Sequence, residues 1–313
     1  MENDYYEEVK NQNPDNNATP ILSVAIIAYN IEAYLEAAIL SVLSQKTAFK
    51  VEIIIGEDCS TDRTREIALL YQQKYSHIIR VILNKENLGL TPNFIQVQNA
   101  CSGKYIALLD GDDYWTNPNK LQMQLTFLEN HPHFSASAHQ STKIFENGNP
   151  SQLFGAETDA IFGLSDTLSH RKFHTSSLVY RNEIWKNSGP IPSNISSNER
   201  ALYPMLALHG NIKYFKESMC VYRLSGANLS SRINYKELET DLHMLPWLKN
   251  LAPDFPILRF RSFLHLCMYT YGSKIPFLPL LRHFFLFTLF SFSYFPKNLG
   301  DIKWGFLFFL KRI

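Results

Sequence analysis

The segment Tyr105-Ile106-Ala107-Leu108-Leu109-Asp110-Gly111-Asp112-Asp113 runs from apolar residues straight into three carboxylates. An apolar run this short reads as a buried strand. Carboxylates crowded at its end repel one another and cost stability unless a cation lies between them. Hard oxygen ligands at a sheet edge suit Mg²⁺ or Mn²⁺, which bind through one or two carboxylates together with the phosphates of a substrate. Taken alone, the same residues also fit a solvated acidic turn. A second acidic segment, Glu57-Asp58-Cys59-Ser60-Thr61-Asp62, follows another apolar run. There a carboxylate either faces a ligand or caps the next helix.

These residues need a scaffold, and the pattern around them supplies one. Residues 21–28, 51–55, 78–83 and 105–109 are short, continuously apolar and rich in Ile and Val, as expected of strands covered on both faces. Helices are expected between them, at about 32–44, 62–75 and 92–101. Thr91-Pro92 and Asn117-Pro118 each place a capping side chain before a proline at a first helical position. Such alternation implies right-handed βαβ units and an α/β fold with a mostly parallel sheet. Ligands of such sheets bind beyond the carboxyl ends of the strands, where Asp58 and Asp110 both fall. Residues 134–223 are less regular, with strands expected at 177–180 and 212–215 and a helix at 200–209. They complete the domain and form the acceptor side of a cleft.

Composition narrows the function. The formal net charge is +1, which gives no whole-molecule field for nucleic acid, and no nucleic-acid partner is expected. Cys59, Cys101, Cys220 and Cys267 form no CxxC pair, which argues against zinc or a disulfide framework and fits a reducing cytoplasm. Residues 1–20 are polar and acidic, without a basic n-region or an apolar h-region. They read as a flexible arm and not as a signal peptide. The tail is different. Residues 275–296 are intensely apolar and aromatic, interrupted by Arg282 and His283, and Asp301 is the only acidic residue after Phe260. A central charge and prolines argue against a bilayer span. A helix lying in the membrane interface, with Lys and Arg toward anionic headgroups, is expected for residues 275–313. A helical appendage packed on the catalytic domain or a second protomer is the alternative. The expected organisation is an arm (1–20), a catalytic domain (21–230, with a nucleotide-binding half 21–133 and an acceptor half 134–230) and a helical apolar and basic region (231–313).

SVAIIAYN, AILSVLSQ, VEIIIGEDCSTDRT, NKENLGL and YIALLDGDDYW, in this order over residues 21–130, together resemble the family 2 glycosyltransferases of GT-A fold. Weaker agreement runs through FHTSSLVYR and ALYPMLALHGNIKYF to VYRLSGANLSS. The resemblance implies a Rossmann-like central sheet flanked by helices, with a C-terminal helical appendage. It implies inverting, metal-dependent transfer from a nucleotide-diphosphate sugar to a hydroxyl on a glycan or lipid-linked acceptor, as in surface polysaccharide synthesis.

Roles follow residue by residue. Ala28, Tyr29 and Asn30 border the nucleotide. Asp58 meets the base: uracil presents a ring N–H and an ionised carboxylate only accepts, so a UDP-sugar is the expected donor. Asp62 reads better as a cap. Asn87, Leu88 and Gly89 lie near the ribose, or form a plain turn. Asp112 ligates Mn²⁺ or Mg²⁺ directly, Asp110 contacts the ribose or the ion's water, and Asp113 supports both. Glu199 stands where the family's base, usually Asp, opens a helix, but Ser196-Ser197-Asn198-Glu199 is also a capping box. His174 and Thr175 border the acceptor. Tyr222-Arg223 lies near the diphosphate, although Ser225 stands where the family often has His. Two other readings remain: a non-catalytic nucleotide-sugar-binding protein, and an aspartyl-phosphate phosphatase, whose motif wants Thr or Val where Tyr114 stands.

Overall fold

The β-branched runs pair into one sheet in a computed structural model that describes residues 6–9, 20–224, 234–272, 275–292 and 299–312. The first half runs β1 (Tyr6–Val9), β2 (Leu22–Ala28), α1 (Leu35–Leu43), β3 (Val51–Glu57), α2 (Thr64–Lys74), β4 (Ile79–Asn84), α3 (Leu90–Ala100), β5 (Tyr105–Asp110), β6 (Tyr114–Trp115) and α4 (Lys120–Asn130). The second runs β7 (Phe134–Phe145), β8 (Gln152–Phe154), β9 (Ala160–Phe162), α5 (Leu164–Thr167), a 3₁₀ turn (Thr175–Ser177), β10 (Val179–Arg181), α6 (Asn182–Ser188), α7 (Asn198–Leu208) and β11 (Asn211–Leu224). The sheet order is β1-β4-β3-β2-β5-β10-β7-β11-β6, with β8 on β7 and β9 on β11. Strands β4, β3, β2 and β5 are parallel, and β10 joins β5 to β7 antiparallel to both. This is the expected α/β sheet.

Side chains of successive strand residues point to opposite faces, and the core divides accordingly. Ala25, Ile54, Ile82, Ile106 and Leu108 pack on one side with α3, α7 and the C-terminal helices. Val24, Ile26, Ile53, Ile55, Val81 and Leu109 pack on the other with α1, α2 and α4. The expected helices form, with shifted starts. Helix α3 begins at Leu90 after Gly89 (φ 85°), so Pro92 is inside its first turn. Thr91 does not cap it; its Oγ1 donates to Ile195 O at 2.8 Å and meets Asn198 Oδ1 at 2.6 Å. Asn117 Oδ1 accepts from Asn119 N at 2.8 Å, a local turn that precedes α4. Strand β11 is far longer than residues 212–215, with register shifts around Ser218. The polar run Lys216-Glu217-Ser218 hides the continuation. Within the arm, residues 6–9 pair antiparallel with β4, so that part is an edge strand.

The tail is helical: α8 (Tyr235–Glu239), α9 (Met244–Leu251), α10 (Ile257–Tyr271), α11 (Phe277–Ser291) and α12 (Leu299–Arg312). Helix α10 is buried along most of its length. Among the described residues no helix is long and apolar enough to cross a membrane.

Gly56 shows how tightly β3 meets α3. A Cβ there would lie 2.5 Å from Asn93 Oδ1 and closer still to Val97, a stiff β-branched side chain. Gly56→Ala is expected to cost about 1–3 kcal/mol, seen as a lower urea midpoint at unchanged slope.

Candidate active site

The acidic turn is built on a glycine that nothing larger can replace. Gly111 N donates to Ile27 O at 3.1 Å, and a Cβ on Gly111 would stand 2.7 Å from that same oxygen. Asp113 N donates to Asp110 O at 2.9 Å, closing the turn. Asp113 then points inward, only 1% exposed. Its Oδ2 accepts from Ser176 Oγ at 2.7 Å and is in a short hydrogen bond with His174 Nε2, and its Oδ1 accepts from Arg223 N at 2.8 Å. Arg223 Nε also donates to Asp112 O at 2.9 Å. Segments from β5, the 3₁₀ turn and β11 thus fix one carboxylate.

Asp110 stays partly open, its side chain 38% exposed and its Oδ2 3.7 Å from His174 Nε2. Ligand atoms of Asp110, Asp113 and His174 lie within 4.8 Å of one another. Burial pushes the Asp110, Asp112 and Asp113 carboxyls each up to about 7, and for Asp110 and Asp112 the Asp113 charge adds to the effect. Burial and then Arg171 hold the His174 imidazole down to about 3. The imidazole is therefore held in its neutral form. Three crowded anions and a hard-oxygen donor set fit a divalent cation of the Mg²⁺ or Mn²⁺ kind.

The other expected residues surround this turn. Ala28 is buried at the end of β2, whereas Tyr29 is exposed. Asn30 has φ 51°, a conformation asparagine tolerates. Its Oδ1 accepts from Thr61 N at 2.8 Å, and its own N donates to Ser60 Oγ at 3.0 Å. Asp62 accepts from Thr64 N at 2.9 Å and Glu32 N at 3.0 Å, so it holds the start of α2 against the loop before α1. Asp58 is 3% exposed. Its carboxylate accepts from Asn84 Nδ2 at 2.8 Å, Leu88 N at 2.9 Å and Gly89 N at 2.9 Å. Asp58 and the Asn87-Leu88-Gly89 turn are thus one unit, and three of the roughly four acceptor positions of a carboxylate are used inside the protein.

Glu199 is not part of a capping box. Helix α7 starts at Asn198 with Ser197 as its cap residue, which puts Glu199 second in the helix. Ser196 is engaged elsewhere: its N and Oγ donate to Asp241 Oδ1 at 2.9 and 3.0 Å. The Glu199 carboxylate lies 4.0 Å from Arg171 and is 28% exposed. Its charge is among those that raise the Asp110 pKa. Thr175 Oγ1 is 3.2 Å from Tyr203 Oη, and His174 stacks on Tyr222 with centroids 3.9 Å apart. Ser225 lies outside the described residues. Arg171, Ser176 and Lys143 did not stand out in the sequence. The basic run His170-Arg171-Lys172 just ahead of FHTSS was the available signal for Arg171.

A family model for glycosyl transferase family 2 matches residues 23–187, just over half the chain, and the chain belongs to that family. An uncharacterized protein of Mycobacterium tuberculosis is 36% identical over 203 residues, 64% of this chain and 58% of the relative. The chain therefore spans under two thirds of the length of that relative. Among solved structures, S. aureus TarS residues 1–349 with UDP superposes with a TM-score of 0.61 at 20% identity, covering 90% of this chain and 82% of TarS. The mannosyltransferase PcManGT from Pyrobaculum calidifontis, with GDP-Man and Mn²⁺, gives a TM-score of 0.56 at 14% identity, covering 96% and 88%. These likenesses establish the GT-A fold.

The raised carboxyls carry a sign. In the metal-free protein they take up protons at about 7, against about 3.9 when unfolded. Between these values the native state binds more protons at these groups, so their contribution to stability is greatest at low pH and falls as pH rises through that window. Calorimetric melting in EDTA from pH 5 to pH 8 is expected to show this fall, reduced in Asp113→Asn. Mn²⁺ is expected to raise the melting temperature more at pH 8 than at pH 5.5, because it competes with protons for the carboxylates.

Proposed function

We propose that this protein is an inverting, metal-dependent glycosyltransferase that moves a sugar from a nucleotide-diphosphate donor, a UDP-sugar, to an acceptor hydroxyl in surface-glycan synthesis. The observation that carries this reading is the acidic turn at the end of β5, where ligand atoms of Asp110, Asp113 and His174 lie within 4.8 Å of one another. Membership of the family and neighbours that bind UDP or GDP-Man support it.

Asp110 and Asp112 would hold Mn²⁺ or Mg²⁺. When bound, the ion supplies Lewis-acid neutralisation of the departing diphosphate. The chain's own residues do the rest. The turn of residues 28–30 and Asn87 and Gly89 border the nucleoside, and the remaining acceptor position of Asp58 suits the uracil N–H. Arg223, tied to the Asp112 carbonyl, places a cation on the diphosphate side. Glu199 accepts the proton of the acceptor hydroxyl as that oxygen attacks the sugar, and Arg171 lies 4.0 Å from its carboxylate.

The reading extends to peripheral contact with the cytoplasmic face of a membrane through residues 275–313. Leu278 and Phe292 are 76% and 71% exposed, and Phe277 and Phe285 are exposed beside them. Arg282 is on the same helix. Apolar side chains among cations suit an anionic interface.

Asp112→Asn is expected to abolish transfer at every Mn²⁺ concentration. Glu199→Gln is expected to lose roughly 10²- to 10⁴-fold in turnover while calorimetric UDP affinity is retained. Normal turnover in that variant would remove Glu199 from the mechanism. In liposome flotation, the wild type is expected to rise with anionic vesicles and Leu278→Glu/Phe285→Glu to stay at the bottom.

A further inference from the structure

One charged cluster is left over once the donor side of the cleft is accounted for. Lys143 on β7 lies in register with Tyr222 on β11, and β8 brings Phe154 alongside. Lys143 Nζ is 4.2 Å from the Phe154 ring centroid and 5.8 Å from that of Tyr222. Arg171 Cζ is 5.3 and 5.4 Å from the same two rings, and its Nη2 is 3.4 Å from Tyr222 Oη. Two cations thus share one aromatic pair, whose centroids are 6.1 Å apart. The nearest carboxylate to Arg171 is Glu199 at 4.0 Å. Among the described residues Lys143 has no ion-pair partner.

A single cation over a ring is favourable, but a second brings repulsion. Burial, and then the Arg171 charge, lower the Lys143 pKa. A like-charged pair on a half-buried wall is stabilised by an anion from outside.

The position of the pair selects the source of that anion. Tyr222 is stacked on His174, which is bonded to Asp113, so the cations are one ring layer removed from the acidic turn. Arg171 touches Glu199, the residue that would receive the acceptor's proton. Arg223, on the other side of the turn, lies over Tyr34 and Tyr114.

We propose that Lys143 and Arg171 form an anion subsite for the acceptor, so that the reacting hydroxyl belongs to a saccharide bearing a phosphate or carboxylate close by. The inference rests on the proposed transfer reading and adds the chemical class of the acceptor.

Lysine ammonium groups can be ¹³C-dimethylated with their charge retained, and the Lys143 signal assigned by its absence in Lys143→Arg. With Mg²⁺, which is diamagnetic, and saturating UDP present, galactose 6-phosphate or glucuronate is expected to shift that signal, and methyl galactoside to leave it in place. The larger response of the two anions tells phosphate from carboxylate. Lys143→Gln, shown to be folded by its melting curve, is expected to bind the effective anion at least ~10-fold more weakly at unchanged UDP affinity. No response to either anion, or an equal response to the neutral glycoside, would overturn the subsite. So would a Lys143 signal that UDP alone shifts and the sugar anions then fail to move, since the cations would be serving the donor diphosphate. UDP binding measured separately by calorimetry keeps the two readings apart. Its failure strikes the donor assignment, whereas a silent Lys143 with UDP bound strikes only the acceptor class.

Discussion

Charge confined at the end of a buried strand governs this molecule. β5 is apolar until Asp110, and then Gly111 forces the chain into a turn so close to β2 that its amide bonds Ile27 O. The following carboxylates have no room to separate. Asp113 is stabilised from within, by Ser176, His174 and the Arg223 amide. Asp110 meets the same cradle at its edge, with its amide donating to Ser176 Oγ at 3.0 Å and its Oδ2 3.7 Å from His174 Nε2, and burial raises both Asp110 and Asp112. An apolar strand end that concentrates negative charge in this way is a poor stability element and a good cation site.

The C-terminal helices bear on the same cleft. Asp241, fully buried, accepts from Ser196 N and Oγ, Ser197 N and Arg200 Nη1. It therefore fixes the two residues that lead into α7 and, through Arg200, the first turn of that helix. The helix so anchored carries Glu199. The appendage thus positions the proposed base, and its outer face on α11 stays apolar. Asp241 precedes residues 275–313, the stretch that reads in sequence as a membrane element; that stretch joins the same core through Leu280, Phe287 and Phe309.

What was legible in the sequence follows from physical range. Continuous Ile and Val runs are local signals, and β2, β3, β4 and β5 were readable because strands buried on both faces are predominantly apolar. The acidic turn was readable for the same reason, since three carboxylates contradict the strand before them. Residues 6–9 read as loose because Tyr-Glu-Glu-Val carries little apolar signal; pairing with the edge of β4 is a tertiary effect. The full lengths of β7 and β11 were hidden by polar residues on strands that serve the cleft. Whether Glu199 closes a capping box turned on one residue of helix register. The partners of Asp58, Asp113 and Asp241 come from elements far apart in the chain, and so does the pairing of Lys143 with Arg171. No local pattern encodes those contacts.

The central claim is that the turn closing β5 holds a divalent ion against the donor's diphosphate. Anomalous scattering at the manganese edge, from crystals grown with Mn²⁺ and UDP, tests it most directly. The account predicts a single strong peak bonded to an Asp112 carboxylate oxygen and to the diphosphate, with Asp110 adjacent. A peak bonded elsewhere, or a diphosphate seated away from this turn, would contradict it.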